Sequence, residues 1–507
     1  MPRPESMPRL RYSFSVILLA ATLAAISPLP GCAGTNAGPE PIAKMLDPDA
    51  HSRTRLRAID RAWDAVAAGE IEHEQAREML KKVVWSRSTY WSTRVAAIDA
   101  LMRDTGNLDD TRVMFALLVP TEQVGEVLDR IGRISVQQGW TNVAPAFVRA
   151  WDRNTEEVRI DDDRPEPRVL RDLFADQTLT TTLFQVFRGD FSAEAGVRFS
   201  ERDRRAAWGL LVRTATDDRE IQELLSRINS ADRDADPLMW AVAQGAVRFG
   251  AIPQTGEQVA WVERLLLRPE NSSFIEEAES VVGRLSEEQR QGWQLRHLSG
   301  AVWASRFAPE RLTATRAELL RQLEREISGR EHFFRDRTDT AWQGGESLSE
   351  WRDKMVWGDV LLTLIAAEAV RARSSEWREV HADLFAQADA DHTDTSTEYG
   401  GITVWDEGGQ LDFRLFPPRA NSRFGDDRFV ASREMIEASD GALFHYHFHV
   451  MRQRNADYAG PSHDDFEYAR LQGRSCLVLT FITENRLNVD YYQPGGVRVD
   501  LGTIDRP

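Results

Sequence analysis

The sequence predicts a multidomain chain in two parts, an all-α, solenoid-like helical region followed by a mixed α/β domain. Three observations carry that expectation. Apolar residues recur at helical spacing from about residue 51 to 374, one helical segment repeats after 39 residues, and beyond Ser374 the pattern shifts to alternating strands. The chain has 507 residues, 42% hydrophobic and 28% charged, which excludes a disordered chain and a multi-pass membrane protein. Formal net charge is −17, and the first 31 residues, with three arginines against one glutamate, leave the remainder at −19. That sign is opposite to what phosphate neutralisation needs, so no nucleic-acid partner is expected.

The N-terminus is read as residues 1–31, a lipoprotein-type signal peptide, and residues 32–48, a flexible tether. Arg3, Arg9 and Arg11 precede a thirteen-residue apolar run from Phe14 to Ile26, too short for a membrane span and suited to a signal-peptide core. The run ends at Leu29-Pro30-Gly31-Cys32, which resembles a bacterial lipoprotein box with Cys32 as the lipidated first residue. The expectation is an extracytoplasmic protein, held to the membrane by its lipid and the Gly- and Pro-rich tether. Its only other cysteine is Cys476, so no disulfide framework is expected.

Residues 49–375 form the expected helical region. Leu56, Ile59, Trp63 and Val66 make one apolar stripe, and Thr54–Asp60 recurs as Thr93–Asp99. A period near 40 built from paired helices loosely resembles HEAT-type solenoids. Asp161–Pro167, with three consecutive aspartates and two prolines, is expected to be a loop, with a possible break between lobes near 160–168. Val356–Val370 is apolar but interrupted by Asp359 and Glu368, which predicts a buried helix. Such a scaffold binds more often than it reacts.

Residues 376–507 carry the chemistry. A helix from Glu376 to Ala388 leads to a hairpin, Ile402–Trp405 and Leu411–Leu415 around Asp406-Glu407-Gly408-Gly409. Strands follow at Ala442–Val450, Cys476–Ile482, Leu487–Tyr492 and Val497–Leu501, with a helix over Asp464–Gln472. Four of the ten histidines lie between His445 and His463. In Phe444–Val450 the side chains alternate, so His445, His447 and His449 share one face and the aromatics take the other. Two imidazoles at i and i+2 can grip one metal ion. The third ligand is expected at Asp465, in Ser462-His463-Asp464-Asp465, where helix capping by Ser462 is a compatible second role. Glu398, in Glu398-Tyr399-Gly400-Gly401, supplies a carboxylate able to take and return a proton, although in isolation it reads as solvent-facing. The two glycines allow close backbone approach at the strand start. His463 is expected to be exposed.

In this order, Glu398, His447 with His449, Ser462 and Asp465 resemble the JAMM (MPN+, JAB-type) metallopeptidase domain, over about the last quarter of the chain. The resemblance implies a cytidine-deaminase-like fold and Zn2+ held by two histidines and Asp465. It also implies Glu398 as general acid/base and Ser462 as a donor to the oxyanion. The sequence departs from the pattern at Val450, where the family has proline, and in a longer gap to Asp465, which makes Met451–Gly460 an insertion beside the site. His445 with His447 is the alternate ligand pair, and His447 with His449 is preferred because it leaves the shorter gap. The expected function is a membrane-tethered zinc hydrolase cleaving an amide or isopeptide bond of a peptide or protein substrate. The helical region would bind substrate or partner. The alternative is a non-catalytic binding or scaffold lipoprotein whose last domain is structural.

Overall fold

The computed structural model describes residues 42–153, 164–191, 200–333, 351–371 and 375–507. The expected signal peptide, Cys32, the expected tether up to residue 41 and the aspartates 161–163 lie outside the described residues. No described helix is long and apolar enough to cross a membrane.

From Ile42 to Arg371 the described chain is helical. The two copies of the repeat fall on helices Ser52–Asp60 and Trp91–Arg103, which pack on one another with His73–Trp85 beside them. Similar side chains therefore recur because both helices bury the same kind of face. Arg94 shows how a charge is accommodated there: its Nε donates to the Val84 carbonyl at 2.8 Å and its Nη1 to Glu122 at 3.1 Å. The stretch expected as a loop through Pro167 is helical from Pro165, in helix Pro165–Leu173. Proline suits that first position because its missing N–H would have no intrahelical acceptor. Arg164 anchors the turn, donating to Ala150 O at 2.9 Å and to Glu166 at 2.8 Å.

The C-terminal part is a six-stranded mixed sheet: β1 Gly400–Trp405, β2 Leu411–Leu415, β3 Phe444–His449, β4 Cys476–Thr483, β5 Arg486–Tyr492 and β6 Arg498–Asp505. The order is β2-β1-β3-β4-β5-β6, and only β3 and β4 run parallel. Three helices belong to this part: α1 Ser375–Thr393, α2 Arg433–Ala438 and α3 His463–Gln472. Because a parallel neighbour requires a crossover, the chain leaves β3, forms α3 over one face and returns as β4. At the β1 start, a Cβ on Gly401 would collide with the Arg414 carbonyl of β2, and one on Gly400 with the Phe429 ring. Glycine is therefore what lets those backbones meet.

The sheet has two unlike faces. Phe444, Tyr446, Phe448, Leu477, Leu479, Phe481, Val489 and Leu501 pack into an apolar core with helix Trp357–Arg371 and with Leu384, Phe385 and Ala388 of α1. The other face carries the histidines and is covered by α3. That core also takes in helices from about residue 241 onward, so the packing does not break at 375. Trp261 Nε1 donates to Asp440 O at 2.9 Å, Trp303 Nε1 to Gly409 O at 2.9 Å, and Thr255 Oγ1 to Leu471 O at 2.8 Å. The Arg474 guanidinium lies 3.3 Å above the Trp261 ring. Helices before 375 thus hold α3 and the sheet in place.

Candidate metal centre

Strand parity builds the centre. His445, His447 and His449 point to the face under α3, and the parallel register sets them opposite Cys476, Val478 and Thr480. All three are buried. His447 Nε2 and His449 Nε2 stand 3.2 Å apart. The Asp465 carboxylate straddles them, with Oδ1 3.1 Å from His447 Nε2 and Oδ2 3.4 Å from His449 Nε2. Glu398 Oε1 is farther, 3.9 Å from His449 Nε2. Glu398, His447 and His449 form a buried triad with ligand atoms all within 4.8 Å, able to hold a metal ion. Asp465 lies closer to both imidazoles than Glu398 does.

The far nitrogens are also occupied. His449 Nδ1 lies 3.3 Å from the Tyr458 carbonyl, and His447 Nδ1 lies 3.5 Å from the Tyr492 hydroxyl. In the neutral ring, a carbonyl accepting from Nδ1–H leaves Nε2 with its lone pair facing the centre, the arrangement found behind metal-bound histidines. Phe429 stacks on the His447 ring, 5.4 Å between centroids. His445 is separate: its Nδ1 meets the Tyr468 hydroxyl at 2.7 Å, and it takes no part in the triad. His463 is exposed and pairs with Asp464 at 3.7 Å.

Ser462 and Asp465 form a capping box at the start of α3. Ser462 Oγ accepts from Asp465 N at 3.2 Å, and Asp465 Oδ2 accepts from Ser462 N at 2.5 Å. The cap fixes the carboxylate, and its other oxygen remains free to face His447. One side chain thus both caps α3 and faces the two imidazoles. Glu398 corrects an expectation: it is 7% exposed, not solvent-facing, and bridges to Phe429 just before β1. Met451–Gly460 does more than sit beside the site, since it supplies the Tyr458 carbonyl to His449.

The surroundings are acidic. Burial, reinforced by Asp465, Asp391 and Asp426, pushes the Glu398 carboxyl well above the usual range against the pull of His449. For Asp465, burial works upward, but the two imidazoles outweigh it and hold the carboxyl low. Burial lowers His449 as well, yet its hydrogen bond to Asp465 and the Glu398 charge raise it to about 9.

Asp391, at the end of α1, is pushed up to about 8, mainly by burial and then by Asp426, against a backbone hydrogen bond from Tyr399. A carboxyl raised in the folded state binds more protons there than in the unfolded chain, so it lowers stability as pH rises from about 4 to 8. Asp391→Asn removes that dependence. Its melting temperature relative to wild type is expected to be higher at pH 8 than at pH 5, and a constant difference across that range would refute the assignment.

No family model, no curated protein and no solved structure matches this chain.

Proposed function

We propose that the chain is a zinc-dependent hydrolase of the JAMM type, cleaving an amide or isopeptide bond at the extracytoplasmic face of a membrane to which Cys32 anchors it. The observation that carries this reading is the spacing of His447, His449 and Asp465. Ligand bonds of about 2.0–2.1 Å in tetrahedral geometry place neighbouring ligand atoms about 3.3 Å apart. The carboxylate meets His447 through Oδ1 at 3.1 Å and His449 through Oδ2 at 3.4 Å, and the two imidazole nitrogens stand 3.2 Å apart. Two imidazoles and one carboxylate are also the donor set of catalytic zinc, which keeps a fourth position for water.

His447 Nε2, His449 Nε2 and Asp465 would hold the ion. When bound, zinc supplies a Lewis acid and makes a water acidic near neutral pH. Glu398 stands outside the compact triangle, where it takes the proton of the attacking water and returns it to the leaving amine. Its burial excludes bulk water from that transfer and raises its basicity. Ser462 Oγ accepts the Asp465 N–H through a lone pair, so its own proton remains to be donated to the oxyanion. Ser462 is therefore a donor and not a nucleophile. The helical region, joined to α3 through Thr255 and to Asp440 and Arg474 through Trp261, would present substrate or partner.

Metal content tests the reading. Residues 33–507, dialysed against a weak chelator, are expected to retain about one zinc per chain, and His447→Ala is expected to lose it. Elemental mass spectrometry reads both. Absence of retained metal under every loading condition would refute the hydrolase.

A further inference from the structure

The histidine face continues polar beyond the metal centre. Across β4 and β5 it presents Thr480, Asn488 and Asp490, all fully buried, and the loop after β3 adds Asn455, 1% exposed. Thr480 and Asn488 are register partners, and Asn488 and Asp490 sit two apart on the same strand face. Among the described residues four oxygens here have no hydrogen-bond partner: Thr480 Oγ1, Asn488 Oδ1, Asp490 Oδ1 and Asn455 Oδ1. The amide nitrogens are already used. Asn488 Nδ2 donates to Asp490 Oδ2 at 2.8 Å, and Asn455 Nδ2 donates to the His449 carbonyl at 3.0 Å. What remains is lone pairs, with one hydroxyl proton among them. Orphaned buried oxygens of this kind are costly unless something meets them.

We propose that these oxygens form a second cation site, for a hard cation of the Ca2+ class, distinct from the imidazole centre. Carboxylate, amide-carbonyl and hydroxyl oxygens are the ligands such cations take, and the absence of imidazole or thiolate disfavours zinc. An inorganic ion fits where a substrate side chain does not, because the residues are 0–1% exposed. A single water can donate to only two of the four oxygens, whereas one cation can meet them all.

Charge agrees with the ligand set. Asp490 lies opposite Asp500, also fully buried. Asp500 accepts hydrogen bonds from Phe333 N at 2.8 Å and Gly502 N at 2.7 Å, and His332 pairs with it at 3.4 Å. Asp490 has Asn488 on one oxygen and Arg498 Nε 3.8 Å from the other, beyond hydrogen-bond reach. A cation at Oδ1 supplies the close contact that Arg498, at 3.8 Å, does not make. Through Asn455 it also steadies the loop whose Tyr458 carbonyl orients His449.

Terbium luminescence tests this on the zinc-loaded soluble chain without Cys32, residues 33–507, with excitation through tyrosine and tryptophan. The expected result is one saturable Tb3+ site per chain, displaced by Ca2+ and kept in His447→Ala. Asp490→Asn and Asn488→Ala, each confirmed folded by circular dichroism, are expected to weaken it about tenfold or more. The use of two variants guards against one failing to fold. Three results would overturn the proposal: no saturable binding, binding unchanged in both folded variants, or binding lost in His447→Ala. The last would place the lanthanide at the imidazole centre, and none of them bears on whether zinc is retained there.

Discussion

Glu398→Gln is expected to keep its metal and lose about 10²–10⁴-fold in turnover, the usual contribution of general acid–base catalysis. The substitution preserves shape and removes the proton acceptor. Metal retention follows from distance: Asp465 lies 3.1 and 3.4 Å from the two imidazole nitrogens, whereas Glu398 lies 3.9 Å from the nearer one. Folding is expected to be unharmed, because a neutral amide replaces a buried carboxylate that already faces Asp391, Asp426 and Asp465. The measurement pairs elemental analysis with hydrolysis of a peptide library by wild type and variant. Unchanged hydrolysis would remove Glu398 from the mechanism. Loss of metal instead would make Glu398 a ligand.

Asp465→Asn addresses the same division of labour from the other side. Asparagine retains an acceptor for the Ser462 N–H, so α3 keeps its capping box at a cost of about 1 kcal/mol or less. What disappears is the negative charge that balances two imidazoles and zinc. Affinity for zinc, read by competition with a chromophoric chelator, is expected to fall about 100-fold or more, with activity lost in parallel. A variant with undiminished affinity would reduce Asp465 to a cap and promote Glu398 to third ligand. The two substitutions together therefore assign base and ligand without reference to any relative.

Much of the centre is legible in the sequence because its parts are local. Alternation along a strand puts His447 and His449 on one face regardless of what that face meets. Ser462-x-x-Asp465 specifies a helix start whatever lies nearby, and the hairpin over 402–415 follows from its own turn residues. Other features depend on distant partners. Glu398 looks solvent-facing until Phe429 and Asp391 close around it. The Tyr458 carbonyl, the Tyr492 hydroxyl and the Phe429 ring carry no motif, and only strand order and loop path bring them to the imidazoles. Asn455, Thr480, Asn488 and Asp490 likewise look like ordinary polar strand and loop residues until register aligns them.

The helical region shows the same boundary. Periodicity identifies each amphipathic helix and the 39-residue repeat, since an apolar stripe must be buried somewhere. It does not say against what. The shift of pattern at Ser374 suggests a domain edge, yet Trp261, Trp303 and Trp357 pack with the sheet in one core. The sequence by itself determined which segments are helix or strand, which residues share a face, and which side chains could ligate a metal. Those properties depend on neighbours within a few residues. The tertiary structure alone decided that Asp465 meets the two imidazoles, that Glu398 is buried, and that helices before 375 hold the α/β part. Each of those depends on strand order and register, which long-range burial of apolar surface sets.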